Sequence, residues 1–359
     1  MELQKIYSDD TGILTAFAES RIGGRYENQD SFGWKDTALG YLVTVCDGMG
    51  GGVGGKTAST IAVQEIIAGV SEANEDEEIS NIIIKAIRRA NMAIIEAGNE
   101  NPKLKGMGTT ATVLLVTEKS AHIAHVGDSR VYQFRSGKKI FRTFDHSLVF
   151  EMVSQGIITE EQARLSAQSN VITRALGIKP DVEVEIHEVP YDAGDRFMLC
   201  SDGIHGTMPE KELIKKVTNK KHKLGALTDD IATFVDNAGR SSGGGHDNLT
   251  IAIIETKINS KLRPKMTKQV KFTIMGFAAL LILSFIMNIV QCSSSNKGED
   301  ASCSVDTVAL NKTINQQDSI IKAQISSFKE IDILVNQISG NNISPVDSIK
   351  RITKNIINK

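Results

Sequence analysis

Five aspartates stand where apolar, strand-like runs begin or end, four of them beside or near a glycine. Arg25-Tyr26-Glu27-Asn28-Gln29-Asp30 leads into a strand that starts at Ser31, and Tyr41–Cys46 runs straight into Asp47-Gly48-Met49-Gly50-Gly51. Ala121–Val126 stops at Gly127-Asp128-Ser129-Arg130, Arg196–Cys200 stops at Ser201-Asp202-Gly203, and His246-Asp247-Asn248 opens a strand over Leu249–Ile254. A single aspartate at a strand end is an ordinary turn residue. Five such ends imply a sheet architecture that could gather carboxylates at one edge. Gathered carboxylates repel one another and take up protons unless cations neutralise them. Hard oxygen donors select Mg²⁺ or Mn²⁺ over zinc or copper. Two such ions sharing a carboxylate can deprotonate a water and clamp a phosphoryl group. A glycine beside a ligand lets the backbone approach closely.

Further strands are expected at Thr15–Glu19, Thr110–Val116, Arg130–Phe134 and Glu183–Val189. The short links at Glu118-Lys119 and Gly127–Arg130 predict that Thr110–Val116, Ala121–Val126 and Arg130–Phe134 form an antiparallel meander. Two long helical patterns lie between the Tyr41–Cys46 and Thr110–Val116 runs. In the second, Ile79, Ile83, Ile87, Ala90 and Ile94 recur at helical spacing, with Lys85, Arg88 and Arg89 elsewhere on the surface. Shorter helices are expected at Ser147–Gln155, Pro209–Thr218 and Gly225–Ala238. Grouped strands with paired helices between them predict an α+β layered domain, helices packed outside a sheet or sandwich.

This domain is expected over residues 1–257, followed by a basic linker at 258–271. From Phe272 to Val290 the chain carries no charge, long enough for a helix to cross a hydrocarbon core of about 30 Å. Lys261, Arg263, Lys265, Lys268 and Lys271 precede that span, so the positive-inside bias places residues 1–271 in the cytoplasm and 291–359 outside. No basic n-region and apolar core at the N-terminus suggest a secretory signal. In the tail, Ile314, Ile321, Phe328 and Val335 fall seven apart, with Leu310, Ile331 and Ile338 on a second row broken by Gln317 and Gln324. That reads either as a short coiled coil at 307–339 pairing two copies, or as an amphipathic helix packed on another protein. Cys46 and Cys200 sit in apolar runs and are expected as buried free thiols. Cys292 and Cys303 flank the outer end of the span, open to a disulfide or, at Cys292, to lipidation. The chain is 41% hydrophobic and 23% charged with formal net charge −2, a globular composition with no electrostatic case for nucleic acid.

Gly50-Gly51-Gly52-Val53-Gly54-Gly55-Lys56-Thr57 matches the phosphate-binding GxxxxGK[ST] pattern letter for letter. Its context is wrong. Asp47-Gly48-Met49 separates it from its strand, and the regular strand–helix alternation of a parallel nucleotide-binding sheet is missing. An ATPase reading would also leave Asp30, Asp128 and Asp247 without a role.

Taken together, residues 12–256 resemble the type 2C protein phosphatases, the metal-dependent serine/threonine class, in their bacterial branch. The resemblance rests on order. It runs from Arg25…Asp30 through Asp47–Gly51, Gly108-Thr109-Thr110, Gly127–Arg130, Asp145-His146-Ser147 and Thr173–Gly177 to Ser201-Asp202-Gly203 and His246–Thr250. It implies two packed antiparallel sheets flanked by helix pairs. It also implies that Asp47 bridges two Mn²⁺ or Mg²⁺ ions, with the Gly48 carbonyl on one and Asp202 and Asp247 on the other. Asp30 would act through a metal-bound water, and Arg25 would hold the substrate phosphate. Asp128 would join Asp202 at a third, weaker metal site, and residues 156–180 would form a flap beside the active site. Phosphoproteins are the implied substrates, and a serine/threonine kinase the implied counterpart.

Three positions depart from the family pattern. Met49 stands where many eukaryotic members have a histidine proposed as proton donor. Gln29 replaces a frequent Glu, and Gly206 replaces an Asp that some members use for the third metal. His125, His146 and His246 read as structural rather than catalytic. A receptor whose phosphatase-like domain only binds partners is the alternative to an enzyme.

Overall fold

In a computed structural model the protein is described over residues 4–50 and 53–262. Hairpin β1 (Gln4–Asp10) and β2 (Leu14–Arg21) is followed by hairpin β3 (Ser31–Thr37) and β4 (Gly40–Cys46). The two-residue β5 (Gly48–Met49) leads to α1 (Val53–Ser71) and α2 (Ile79–Glu100). Then come β6 (Gly108–Thr109), β7 (Ala111–Val116), β8 (Ala121–Val126), β9 (Arg130–Arg135) and β10 (Lys138–Arg142). Helices α3 (Leu148–Ser154) and α4 (Glu160–Arg164) precede β11 (Glu185–Val189) and β12 (Arg196–Cys200). Helices α5 (Asp202–Thr207), α6 (Glu210–Val217) and α7 (Leu224–Ser241) precede β13 (Leu249–Thr256).

The strands form a six-stranded sheet in the order β1-β2-β13-β12-β9-β10 and a five-stranded sheet in the order β11-β8-β7-β4-β3, while β5 and β6 pair separately. Side chains that alternate along each central strand serve two cores at once. Along β4, Tyr41, Val43 and Val45 join Leu14, Phe197 and Ile254 of the other sheet. Leu42 and Cys46 instead join Ile66, Ile83 and Ile87 of α1 and α2. Along β13, Ala252 and Ile254 face the sandwich interior, whereas Ile251 and Ile253 pack with Leu227 and Ile231 of α7. With both faces covered, these runs are apolar at successive positions. Each fully buried aliphatic side chain contributes about 1.5–3 kcal/mol. The expected layered α+β architecture is what forms, and Cys46 and Cys200 are buried free thiols within it.

One expectation fails. Strands β7 and β8 make the hairpin across Glu118-Lys119, but β9 does not continue the meander; it crosses to the other sheet and pairs with β12 and β10. The Gly127-Asp128-Ser129 link is short enough for a hairpin. Gly127, however, has φ 103°, a left-handed conformation that redirects the chain, and Thr110 packs where its side chain would be. Strands β1 and β10 also escape the sequence pattern. Both are sheet edges, and β10, with exposed Lys138 and Ile140, carries a register shift between Lys139 and Phe141.

From Lys257 to Leu262 the chain stays on the domain. Ser260 donates from its backbone to Tyr191, Lys261 to Glu118 and Leu262 to Lys119. Among the described residues no helix is long and apolar enough to cross a membrane. The apolar 272–290 segment, the remainder of the basic linker, the 291–359 tail, its 307–339 heptads and Cys292 and Cys303 lie outside the described residues.

Candidate active site

Antiparallel pairing determines which strand ends meet. The C-terminal ends of β4, β8 and β12 and the N-terminal ends of β3 and β13 share one pole of the sandwich, and the Thr117–Ser120 turn marks the other. Asp47, Asp128, Asp202 and Asp247 therefore line one cleft of about 490 Å³, together with Arg25, Gln29, Gly48 and Met49. Asp30 lies behind its wall, only 2% exposed. All seven positions singled out for catalysis or metal binding are thus gathered at one place.

The electrostatics are those of carboxylates crowded together and drawn out of water. Burial, and then repulsion from Asp30, Asp202, Asp128 and Asp247, holds the Asp47 carboxyl well above the usual range. Burial likewise lifts Asp202, with repulsion from Asp128, Asp247 and Asp30 added. Asp30 is pushed up to about 6, chiefly by burial, against the lowering effect of bonds from Thr250 and Ser201. Asp128 is pushed up to about 7 by burial and by Asp145. Asp30 Oδ1 and Asp202 Oδ1 are buried without a hydrogen-bond partner. Buried oxygens in that condition are costly unless something cationic or protic meets them. An all-oxygen donor set with two such orphans fits hard divalent cations.

The supporting residues are mostly ones for which the sequence indicates no role. Ser201 Oγ donates to Asp30 Oδ2 at 2.7 Å and accepts from the Thr250 backbone at 3.0 Å. Thr110 Oγ1 accepts from the Asp47 backbone at 2.9 Å, and the Thr110 backbone donates to the Asp47 carbonyl at 2.9 Å. Asn248 sends its amide to the Ile22 and Glu27 carbonyls and accepts from the Gln29 backbone, clasping both ends of the Arg25–Asp30 loop. His205 Nε2 donates to the Asp128 carbonyl at 3.0 Å. Ser201, Thr110 and Asn248 fall inside quoted motifs, so the signal was position; His205 had none. Gly48 must be glycine because a Cβ there would collide with the Gly55 carbonyl.

Arg25 is half-exposed at the cleft mouth and donates to Asp247 Oδ2 at 2.8 Å. His146 Nδ1 accepts from the Gly127 backbone at 3.2 Å, tying down the loop that carries Asp128. His125 is buried and stacked on His146, and His246 bonds Asp236 at 2.8 Å, so all three are held structurally. Gly206 leaves open space, and its carbonyl accepts from Arg164 of the 156–180 segment, whose only helix is the single turn or so of α4.

The phosphate-loop reading does not survive the geometry. Every strand pair among the described residues is antiparallel. Lys56 lies inside α1, and its ammonium donates to the Asp30 carbonyl at 2.7 Å and to Ser31 Oγ at 3.1 Å. It borders a separate cavity rather than the carboxylate cleft.

Comparison with known proteins agrees with this constellation. The protein phosphatase 2C profile matches residues 19–240. The serine/threonine phosphatase stp of Listeria monocytogenes is 34% identical over 244 residues, covering 67% of this chain and 91% of that protein. The serine/threonine protein phosphatase PstP of Mycobacterium tuberculosis is 32% identical over 234 residues, covering 64% of this chain and 42% of that one. Among solved structures, the catalytic domain of PstP in complex with two manganese ions aligns with TM-score 0.57 and 28% identity, over 68% of this chain and 99% of that chain. Stp1 of Staphylococcus aureus aligns with TM-score 0.59 and 28% identity, over 71% and 95%. With its sandwich, its carboxylate pole and these relatives, the chain belongs to the protein phosphatase 2C family of metal-dependent serine/threonine phosphatases.

Proposed function

We propose that this chain dephosphorylates phosphoserine and phosphothreonine on cytoplasmic proteins from a membrane-anchored position, opposing a serine/threonine kinase. The observation that carries the catalytic part is the pole of mutually repelling carboxylates, two of them with buried, unpartnered oxygens. Asp47, the Gly48 carbonyl, Asp202 and Asp247 would hold two Mn²⁺ or Mg²⁺ ions. Bound there, the ions would supply an acidified water and a positive clamp on the phosphoryl group. Asp30, through its free Oδ1, orients water at the cluster. Arg25 exchanges its bond to Asp247 for the substrate phosphate, a pairing its planar fork suits. Asp128 with Asp202 would form a third, weaker site. Met49 has no acidic proton to give, so the leaving oxygen draws its proton from elsewhere than this position.

The full chain with Mn²⁺ should release phosphate from a phosphothreonine peptide and stop when EDTA is added. A folded, metal-loaded chain that turns over no phosphopeptide would transfer the weight to a partner-binding receptor.

For the anchor we rely on the uncharged 272–290 segment and the basic residues before it, with 1–257 as the catalytic domain, 258–271 as linker and 291–359 outside. Leu262 lies beside the Glu118-Lys119 turn, at the pole away from the carboxylates. Fractionated cells should hold the chain in the membrane pellet, where cross-linking should trap a dimer through 307–339. A soluble chain would remove the anchor, and monomer alone would remove the pairing.

A further inference from the structure

Tyr26 is 98% exposed, the most exposed large apolar side chain among the described residues. It follows Arg25 directly and lines the carboxylate cleft with Met49 and Ile172. These three come from separate segments, each fixed by backbone bonds. Met49 pairs with Gly108, and Ile172 bridges Ser147. The loop carrying Tyr26 is clasped by Asn248. Ile178, 51% exposed, packs on Gly108 and so extends the apolar surface behind Met49. The cleft therefore has a carboxylate floor and an apolar lip. Apolar surface held open to water at the rim of a charged site costs free energy that a ligand can recover by covering it. Because the lip begins one residue from the arginine assigned to the phosphate, what covers it is the part of the substrate next to the phosphorylated side chain. A charged residue there would lose water for no partner on Met49 or Ile172 and only the hydroxyl or ring face of Tyr26, itself already open to water.

We propose that Tyr26, Met49 and Ile172 form the subsite for the side chain flanking the phosphorylated residue, and that they select an aliphatic or aromatic side chain over a charged one. This rests on the phosphatase reading above. The experiment uses the full chain with Mn²⁺ and blocked phosphothreonine peptides that differ only in one flanking residue: Leu, Phe, Asp or Lys, placed on either side in turn. On one side, kcat/KM for Leu or Phe is about fivefold or more above Asp or Lys, the scale of one partly buried aliphatic side chain. Tyr26→Ser, harmless to a fully exposed position, reduces that preference, and the Tyr26→Ser/Ile172→Ser pair brings it within about twofold. Hydrolysis of blocked phosphothreonine without flanks is unchanged in both variants. Equal kcat/KM across the wild-type panel would overturn the subsite. A preference that survives in the double variant would overturn its assignment to this lip. Failure to hydrolyse even the flankless compound would instead bring down the phosphatase reading, and the subsite with it.

Discussion

Asp202→Asn is expected to lower kcat/KM on a phosphothreonine peptide by about a thousandfold or more while making the metal-free protein more stable. The two effects have one cause. Asp202 is the first residue of α5, its Oδ1 is buried without a partner, and Asp128, Asp247 and Asp30 all repel it. Asparagine keeps the shape and removes the cost of either ionising that carboxyl among its neighbours or protonating it on folding. Any lost attraction between a carboxylate and the helix N-terminus is worth only about 0.3–1 kcal/mol, so relief of that burial and repulsion cost dominates. Asp145 is the control. It is as deeply buried, but it receives two bonds from Arg130 at 2.6 Å, and its carboxyl lies below the usual range despite burial because of that guanidinium. Asp145→Asn breaks a buried pair and should cost about 3–5 kcal/mol. Urea denaturation in EDTA reads both signs, and steady-state kinetics with Mn²⁺ reads the activity. Undiminished turnover by Asp202→Asn would sink the metal-ligand assignment. Loss of stability together with activity would make Asp202 a structural residue.

The contrast between Asp202 and Asp145 also marks how far the sequence could be read. The layered α+β class, most strand ranges and the candidate ligands were legible because apolar runs buried on both faces stop abruptly at aspartates, as at Val45–Asp47 and Leu199–Asp202. The crossing of β9 was not legible. A link as short as Gly127–Ser129 suits a hairpin by length, and only the packing of Thr110 beneath Gly127 turns the chain to the other sheet. Edge strands β1 and β10 were missed because half-exposed strands lose the apolar signal. At the site, aspartates at chain breaks announced themselves, whereas the groups that hold them did not. His205 reaches the Asp128 carbonyl from a helix 77 residues away in sequence, a contact that local pattern does not encode. Lys56 had the opposite fate: its motif pointed to a phosphate, and tertiary packing uses it to hold the Asp30 backbone.

Mn²⁺ is expected to stabilise the protein less as pH falls from about 8 to about 6, by about 1.4 kcal/mol per pH unit for each proton that the metal displaces. The sign follows from the carboxyls. Asp128, pushed up to about 7, and Asp30, pushed up to about 6, take up protons in the metal-free fold across this window that the unfolded chain has released. Asp47 and Asp202 are raised in the same direction by burial and by their neighbours' charge. The native state then binds more protons than the unfolded one, so metal-free stability rises as pH falls through that window. Ligation requires the ionised carboxylates, so metal and protons compete for the same oxygens. Stability of the metal-free protein alone would blur this. Burial pushes His125 down to about 4 and His205 down to about 3, so both fold neutral, and acidification below about 6.5 favours the unfolded chain. Neither histidine belongs to the carboxylate set, so their contribution is common to both conditions. It cancels when the unfolding free energy in EDTA is subtracted from that with Mn²⁺ at each pH. A difference that shrinks toward pH 6 makes the cluster a store of protons that metal expels. A difference that stays flat would mean the carboxylates are already ionised in the metal-free fold, and that other groups meet the buried oxygens of Asp30 and Asp202.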